Sequence, residues 1–208
     1  SYKKPVILWK VGLTPEGSRA ANSHTGALAG SRKIWQAVIR QSGAIAVVGF
    51  EAWVDALMGF SLLPAACGPR MVIISGPGGP AVSAAEACGN EGLMLADLCA
   101  QTRSELSRFV PATGTSLKNP VDVSLTAHFD LEIFKEAARI TAADPGVDAV
   151  VIIGSGLTPE DNQTFVDNMI QLQRECRKPL IMVKIPGFDP KFSQQYCEAG
   201  IPFFDSAE

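Results

Sequence analysis

The stretch AANSHTGALAG, Ala20–Gly30, sets an imidazole, His24, between two hydroxyls, Ser23 and Thr25, with Gly26 and Gly30 behind them. The 208 residues contain only one other histidine, His128. The neighbours of His24 contribute almost no packing, so another surface can come close to the ring. A neutral imidazole is a nucleophile toward phosphorus, and the product is a phosphoramidate. That chemistry needs an exposed ring, little bulk, and donors for the phosphoryl oxygens. Ser23 and Thr25 supply hydroxyl donors. Gly12, Gly17, Gly26 and Gly30 give the segment the backbone freedom of a loop. On these residues alone, a surface loop with an incidental histidine stays open as the alternative.

A second constellation is ISGPGGPAVSAAEA, Ile74–Ala87, which reads as a buried strand, a glycine–proline turn and a helix start. The free N–H groups of a helix N-terminus and its dipole make an anion site, with Gly76, Gly78 and Gly79 as the close-approach residues. Pro80 suits the first helical turn. The same segment also meets a rival pattern. Gly76, Gly78 and Ala81 satisfy G-x-G-x-x-A, and Asp97 lies about twenty residues on, as in a dinucleotide fingerprint. Two prolines crowd that turn and LMLADL makes a weak second strand, both of which speak against the rival. A tight turn with no ligand is the third possibility.

Other residues point to structure. Cys88 and Cys99 read as core, and His128, in SLTAHFD, as a loop or capping residue. Asn119-Pro120-Val121-Asp122 reads as a strand start or turn, and Trp9, Trp35 and Trp53 as packing anchors. Five cysteines, an odd number with no C-x-x-C pair and no zinc spacing, suggest scattered thiols in a reducing cytoplasm, and no metal site is expected. Apolar residues make up 47% and charged residues 19%, enough for a sizeable core. A net charge of −3 gives no basic patch and no reason to expect nucleic acid. No apolar run reaches the roughly 18 residues of a membrane span, and no signal peptide is legible.

The elements that must hold these residues alternate. Strand-like runs occur at Pro5–Val11, Ala44–Val48, Met71–Ser75, Asp148–Gly154, Pro179–Ile185 and Ile201–Phe204. Near-continuous Val/Ile-rich runs of this length fit parallel strands buried on both faces. Helical patterns lie at Arg32–Gln41, Leu131–Ala142 and Asn162–Cys176, with Asp130 and Asp161 as N-caps or first-turn acids. The fold class is therefore α/β. KKPVILWKVG and RKPLIMVKIPG, each followed by a glycine-led strand, read as one unit used twice. We expect two domains, residues 1–66 and 67–208. The first is expected to be the C-terminal part of a domain, with roughly a hundred residues absent from its front. The connection from Gly12 to Gly43 is much longer than its counterpart, and its extra residues carry the His24 segment.

SHTGALAG, together with the upstream LWKVGLTPEGSRAANSH, resembles the phosphohistidine segment of NDP-forming acyl-CoA synthetases. These are the ADP-forming acetate–CoA ligase type, related to succinyl-CoA synthetase. The likeness continues through RQSGAIAVVGFEAWVDAL, GPRMVIISGPGGPAVSAAEACGNEGLML, NPVDVS and AGIPFFDSAE, almost the whole chain. It implies two flavodoxin-like, three-layer domains with parallel sheets. It implies that His24 carries a phosphoryl group, with Ser23, Thr25, Gly26, Gly76, Gly78 and Gly79 binding phosphate. The helix after Gly79 would be one of two aimed at the phosphohistidine. The implied reaction is acyl-CoA + ADP + phosphate ⇌ free acid + CoA + ATP, in an oligomeric cytoplasmic enzyme. Mg2+, ATP/ADP and CoA would be bound by CoA-binding and ATP-grasp domains or subunits outside this segment, which alone would be inactive. A non-catalytic regulatory or scaffold domain, as in protein acetyltransferases, is the alternative; there the histidine is typically not kept, and His24 is present here. The acyl group and the choice of ADP or GDP stay open.

Overall fold

The computed structural model describes residues 4–25, 30–64, 68–112, 114–184 and 190–207, without the side chains of Thr25 and Pro190. The chain divides into two compact units, Ser1–Ser61 and Leu62–Glu208.

In the first unit, β1 (Ile7–Trp9) and β2 (Ile45–Val47) pair in parallel, Ile7 opposite Ile45 and Trp9 opposite Val47. Between them run α1 (Pro15–Thr25) and α2 (Arg32–Ser42), and α3 (Phe50–Leu62) follows β2. α2 ends at Gly43, whose φ of 68° places it in the left-handed region and whose N–H caps Ile39 O. That conformation is the usual reason for glycine at this position. Trp9, Phe50 and Trp53 group with ring centroids 5.8–6.4 Å apart, which matches the packing role expected of Trp9 and Trp53. No described residue of this unit is fully buried, and Val48 is 93% exposed.

The second unit is a twofold-covered parallel sheet. Its strands are β3 (Arg70–Ser75), β4 (Met94–Leu95), β5 (Val121–Asp122), β6 (Ala149–Ile153), β7 (Leu180–Val183) and β8 (Phe203–Phe204). The main order is β4-β3-β6-β7-β8, all parallel, with β5 also on β3. This is the doubly wound order 2-1-3-4-5, whose connections reverse direction between β3 and β6. Alternation along the strands divides the core in two. Val72, Ile74, Val150, Ile152, Leu180 and Met182 face α5 (Ala100–Leu106), α6 (Glu132–Ala143), α7 (Pro159–Glu175) and α8 (Pro190–Glu198). Met71, Ile73, Ala149, Val151 and Ile153 face Ala81 and Ala84 of α4 (Gly78–Asn90). The six strands read from the sequence are all present; β3 starts one residue earlier than expected, at Arg70, and the other five are shorter.

One edge of β3 is completed piecemeal. β4 pairs with its start and β5 with its end. Between them the Asn119 amide substitutes for a strand: Nδ2 donates to Met71 O at 2.7 Å and Ala96 O at 3.1 Å, and Oδ1 accepts from Ile73 N at 3.0 Å. Asn119 is structural, as expected, and the Asn119–Pro120 peptide bond is cis. Asp130 does not cap α6, whose N-cap is Leu131 without a side-chain bond; Asp130 instead ends the 3-10 turn Leu125–Phe129. Asp161 is the third residue of α7, in a capping box with Thr158.

Two carboxylates pin the opposite, N-terminal rim of the sheet. Asp148 accepts from Arg70 N (2.9 Å), Nε (2.9 Å) and Nη2 (2.7 Å). The Arg70 side chain and backbone N–H hold the Asp148 carboxyl down at about 2. Gly68 makes room for it, since a β-carbon there would sit 2.3 Å from Asp148 Oδ2. Burial opposes ionisation of Asp144, but the Thr102 hydroxyl (2.6 Å), Cys99 N (2.9 Å) and Gly146 N (2.7 Å) outweigh it and hold its pKa below the ordinary value.

Two outcomes follow from this packing. A carboxyl depressed in the folded state contributes stability above its unfolded pKa of roughly 3.9 and loses it as pH falls through the folded value. Urea midpoints of the chain should therefore drop between about pH 4 and 2. Asp148→Asn should lower the pH 7 midpoint and flatten that drop; an unchanged pH profile in the variant would contradict the assignment. Residues 1–61 expressed alone should show no cooperative thermal transition by circular dichroism, because a unit this small with so little buried surface is marginal. A sharp monomeric transition would contradict it.

Candidate functional site

His24 lies in the last turn of α1, not in a loop. The local sequence explains the helix. Thr14 Oγ1 accepts from Gly17 N at 3.1 Å, and Pro15 and Glu16 open the first turn. Arg19, Ala20 and Ala21 are good helix formers. Gly17 eases a close approach, since a β-carbon there would stand a tight 3.2 Å from Gly12 Cα. His24 is exposed. Ser23 Oγ donates to Ala20 O at 2.8 Å, so its one hydroxyl proton is spent on its own helix, and the donor expected of Ser23 for a phosphoryl oxygen is not presented here. The side chain of Thr25, and Gly26 altogether, lie outside the described residues. An exposed imidazole beside Ala20, Ala21 and Ser23 is open to in-line approach of a phosphorus centre, as its proposed chemistry needs.

The glycine turn is in the second unit, at the carboxyl end of β3. Gly76 N donates to Ile153 O at 3.4 Å, and Ser75 Oγ donates to Pro77 O at 2.7 Å. α4 begins at Gly78, with Pro77 as N-cap (φ −87°, ψ 132°), no side-chain cap bond and no acid in the first turn. Gly78 and Gly79 therefore present first-turn N–H groups that no side chain caps, and Pro80 has none to satisfy. α7, beginning beyond the neighbouring strand β6, is the opposite case. Thr158 Oγ1 accepts from Asp161 N at 3.1 Å, Asp161 Oδ2 accepts from Thr158 N at 3.2 Å, and Glu160 adds a second acid. One N-terminus is closed by its own side chains and the other is open to an external anion.

Crevices at the carboxyl ends of strands, where connections reverse direction, are where doubly wound sheets bind ligands. Here that point lies between β3 and β6, and two residues join it that the sequence did not reveal. Asp122, at the end of β5, accepts from Ser124 N through Oδ1 at 2.8 Å. Its Oδ2 lies 3.4 Å from where a Gly78 β-carbon would be. His128, expected to be a loop or capping residue, is instead buried, at 7% exposure, in the 3-10 turn. Its Nδ1 is 2.5 Å from Ser155 O. A carbonyl only accepts, so Nδ1–H is the donor. Its Nε2 lies 2.8 Å from the position of a Gly76 β-carbon. Flanking Ala127 and Phe129 gave one apolar cue, but a lone histidine among apolar residues does not announce a rim position. On its other side, a cavity of about 370 Å³ is lined by His128, Asp130, Glu132, Asp161, Thr164 and Asn168, among others.

The remaining assignments divide. Cys88 is half-buried, and burial pushes its thiol up. Cys99, expected in the core, is exposed and caps α5, its sulfur accepting from Thr102 N. Asp97, the acid of the dinucleotide pattern, lies 3.5 Å from Arg103 Nη1. Among the described residues no group of three His, Cys, Asp or Glu side chains could hold a metal ion, and no helix is long and apolar enough to cross a membrane.

Comparison with known proteins joins these two units to one family. Residues 1–60 match the succinyl-CoA ligase like flavodoxin domain, and residues 71–178 match the ligase-CoA domain. The alpha subunit of ADP-forming acetate–CoA ligase II from Pyrococcus furiosus is 34% identical over 99% of this chain and 45% of its own length. The ADP-forming 4-hydroxybutyrate–CoA ligase of Nitrosopumilus maritimus is 30% identical over 99% of this chain and 29% of its own. In fold, the chain superimposes with a TM-score of 0.79 on the dinucleotide forming acetyl-coenzyme A synthetase 1 of Ca. Korarchaeum cryptofilum, solved with phosphate and ADP. That match is 24% identical and covers 98% of this chain and 44% of the other. The chain thus spans less than half the length of these relatives. A flavodoxin-like parallel sheet, two CoA-ligase domain matches and relatives that are ADP-forming CoA ligases lead to one conclusion: the chain belongs to the ADP-forming acyl-CoA synthetase family, of which it carries the succinyl-CoA-ligase-like flavodoxin and ligase-CoA domains.

Proposed function

We propose that the chain supplies the central, phosphoryl-carrying domains of an NDP-forming acyl-CoA synthetase. The observation that supports this reading most is the exposed His24 on the last turn of α1, within the segment matching the succinyl-CoA ligase like flavodoxin domain. The reaction is written in three balanced steps. Phosphate displaces CoA from acyl-CoA, giving acyl phosphate and free CoA. An imidazole nitrogen of His24 attacks the phosphorus of acyl phosphate, the P–O bond to the acyl group breaks, and the carboxylate leaves. A β-phosphate oxygen of ADP then attacks the phosphorus, the P–N bond breaks, and ATP and free His24 result. Mg2+, the nucleotide and CoA are proposed to belong to CoA-binding and ATP-grasp domains or subunits beyond this chain. The synthetase is proposed to be an oligomer in the cytoplasm.

The Gly76–Gly79 turn is proposed to receive the phosphoryl group. Its uncapped N–H groups sit on the end of a buried strand, so they are held rigidly. The helix dipole contributes about 0.3–1 kcal/mol toward an anion, and up to about 2 when partly buried. Asp122 beside Gly78 opposes a dianion there, so a cation or a proton must share the charge.

Two experiments test these assignments in the complete synthetase. With γ-labelled ATP and Mg2+, label should appear as an acid-labile, base-stable phosphate, and His24→Ala should remove it. Undiminished label in the variant would contradict the assignment. Gly78→Val should slow phosphoryl transfer by about 10²-fold, the scale of a misplaced reacting group. The fold should survive, because a β-carbon at Gly78 meets only an ordinary contact at 3.4 Å. Tight NADH binding by the second unit, indifferent to phosphate, would favour the dinucleotide reading instead.

A further inference from the structure

The rim between β3 and β6 contains an imidazole that the proposed reaction does not use. His128 is buried, yet among the described residues its side chain makes a single hydrogen bond, Nδ1–H to Ser155 O. Ser155 belongs to the segment that leaves β6. The other ring nitrogen rests against Gly76, the first residue after β3. The ring is supported from below by Phe134, at 5.5 Å between centroids, and Phe134 by Phe165 at 5.2 Å, edge to face. One side chain therefore touches the ends of both strands that flank the switch point.

The backbone leading to His128 is shaped for this placement. Ser124 has φ 71°, the single positive φ outside glycine among the described residues. Such a conformation is strained for a residue with a side chain and persists only where the surroundings fix it. It is fixed here by Asp122 Oδ1, which accepts from Ser124 N, and by Ser124 Oγ, which accepts from Thr126 N at 3.3 Å and Thr126 Oγ1 at 3.1 Å. The turn then carries His128 inward under Gly76, while Asp122 flanks Gly78. The connection from β5 to α6 thus grips the glycine turn at two of its residues.

We infer that His128 is a positioning residue for phosphate: it latches the Gly76–Gly79 turn to Ser155 at the end of β6, and so sets where the uncapped N–H groups of Gly78 and Gly79 stand. The inference rests on the reading of that turn as the phosphoryl site. His128 does not touch the phosphate in this account; it acts through Gly76.

The test is steady-state kinetics of the complete synthetase in the direction that consumes inorganic phosphate, with His128→Ala, His128→Asn and Gly78→Val in parallel. His128→Ala removes both the wedge and the tie. It should raise the KM for phosphate by about 10–100-fold, the range seen when a residue that orients a binding group is lost. The KM for acyl-CoA should not move. Asparagine keeps a donor near the Nδ1 position, so His128→Asn should recover most of the phosphate affinity. A folded His128→Ala enzyme with wild-type phosphate KM, or with both KM values raised alike, would overturn the latch. If the alanine variant does not fold, His128→Asn decides: near-wild-type phosphate KM supports the latch, and a rise as large as that of Gly78→Val overturns it. Failure of the underlying reading looks different, because Gly78→Val would then leave the phosphate KM unchanged.

Discussion

The ring of Phe134 occupies space that side chains on two neighbouring strands would need. A β-carbon on Gly76 would lie 3.2 Å from its Cζ, and one on Gly154 would lie 2.7 Å from its Cε1. A side chain at position 154 would therefore displace Phe134, and one at position 76 would be tight against it, while Phe134 stays where it is, fully buried between His128 and Phe165. The rest of the rim depends on this close packing. With no side chains at the ends of β3 and β6, the 3-10 turn can descend far enough for His128 to reach Ser155 O. Gly156 extends the same logic, since a β-carbon there would meet the backbone of Asp161 and Asn162. The N-terminus of α7 is thereby drawn in against the segment that leaves β6. The crevice is shaped by missing side chains on the strands and by one large side chain beneath them.

That packing also decides which helix can serve an anion. α4 and α7 both start at the carboxyl rim, but their first turns are chemically opposed. α7 closes its own donors with Thr158 and Asp161, a cap that typically contributes on the order of 1 kcal/mol to the helix. α4 forgoes a cap, and its glycines keep the approach to Gly78 and Gly79 clear. Helix stability is thus secured on one side of the switch point and given up on the other. Asp122 sharpens the contrast by placing a carboxylate beside the open N-terminus, so the anion proposed to bind there would need a compensating charge.

Much of this was legible in the residues. The Val/Ile runs of β3, β6 and β7 announce strands covered on both faces, and the glycine–proline turn announces an uncapped helix. β4 and β5 were harder, because each contributes two residues to one edge of β3 and the Asn119 amide fills the gap between them. A side chain that replaces a strand has no periodicity. The glycines and hydroxyls around His24 suggest a loop and mask Thr14, Pro15 and Glu16, which together mark a helix start. His128 and Asp122 were missed because their role arises from a long-range contact with Gly76 and Gly78, and sequence spacing carries no trace of it. Cys99 was placed in the core for its apolar neighbours, whereas its sulfur serves as a cap at the surface.

Of the two histidines, His24 is proposed to carry the phosphoryl group. The most direct measurement is peptide mapping of the phosphorylated complete synthetase, with phosphorus–nitrogen coupling read by NMR in enzyme containing 15N-labelled histidine. A phosphoramidate on the peptide that holds His24, and none on the peptide that holds His128, is the predicted result. Phosphate on the His128 peptide, or a phosphate bound to carboxylate oxygen with no coupling to nitrogen, would contradict the account.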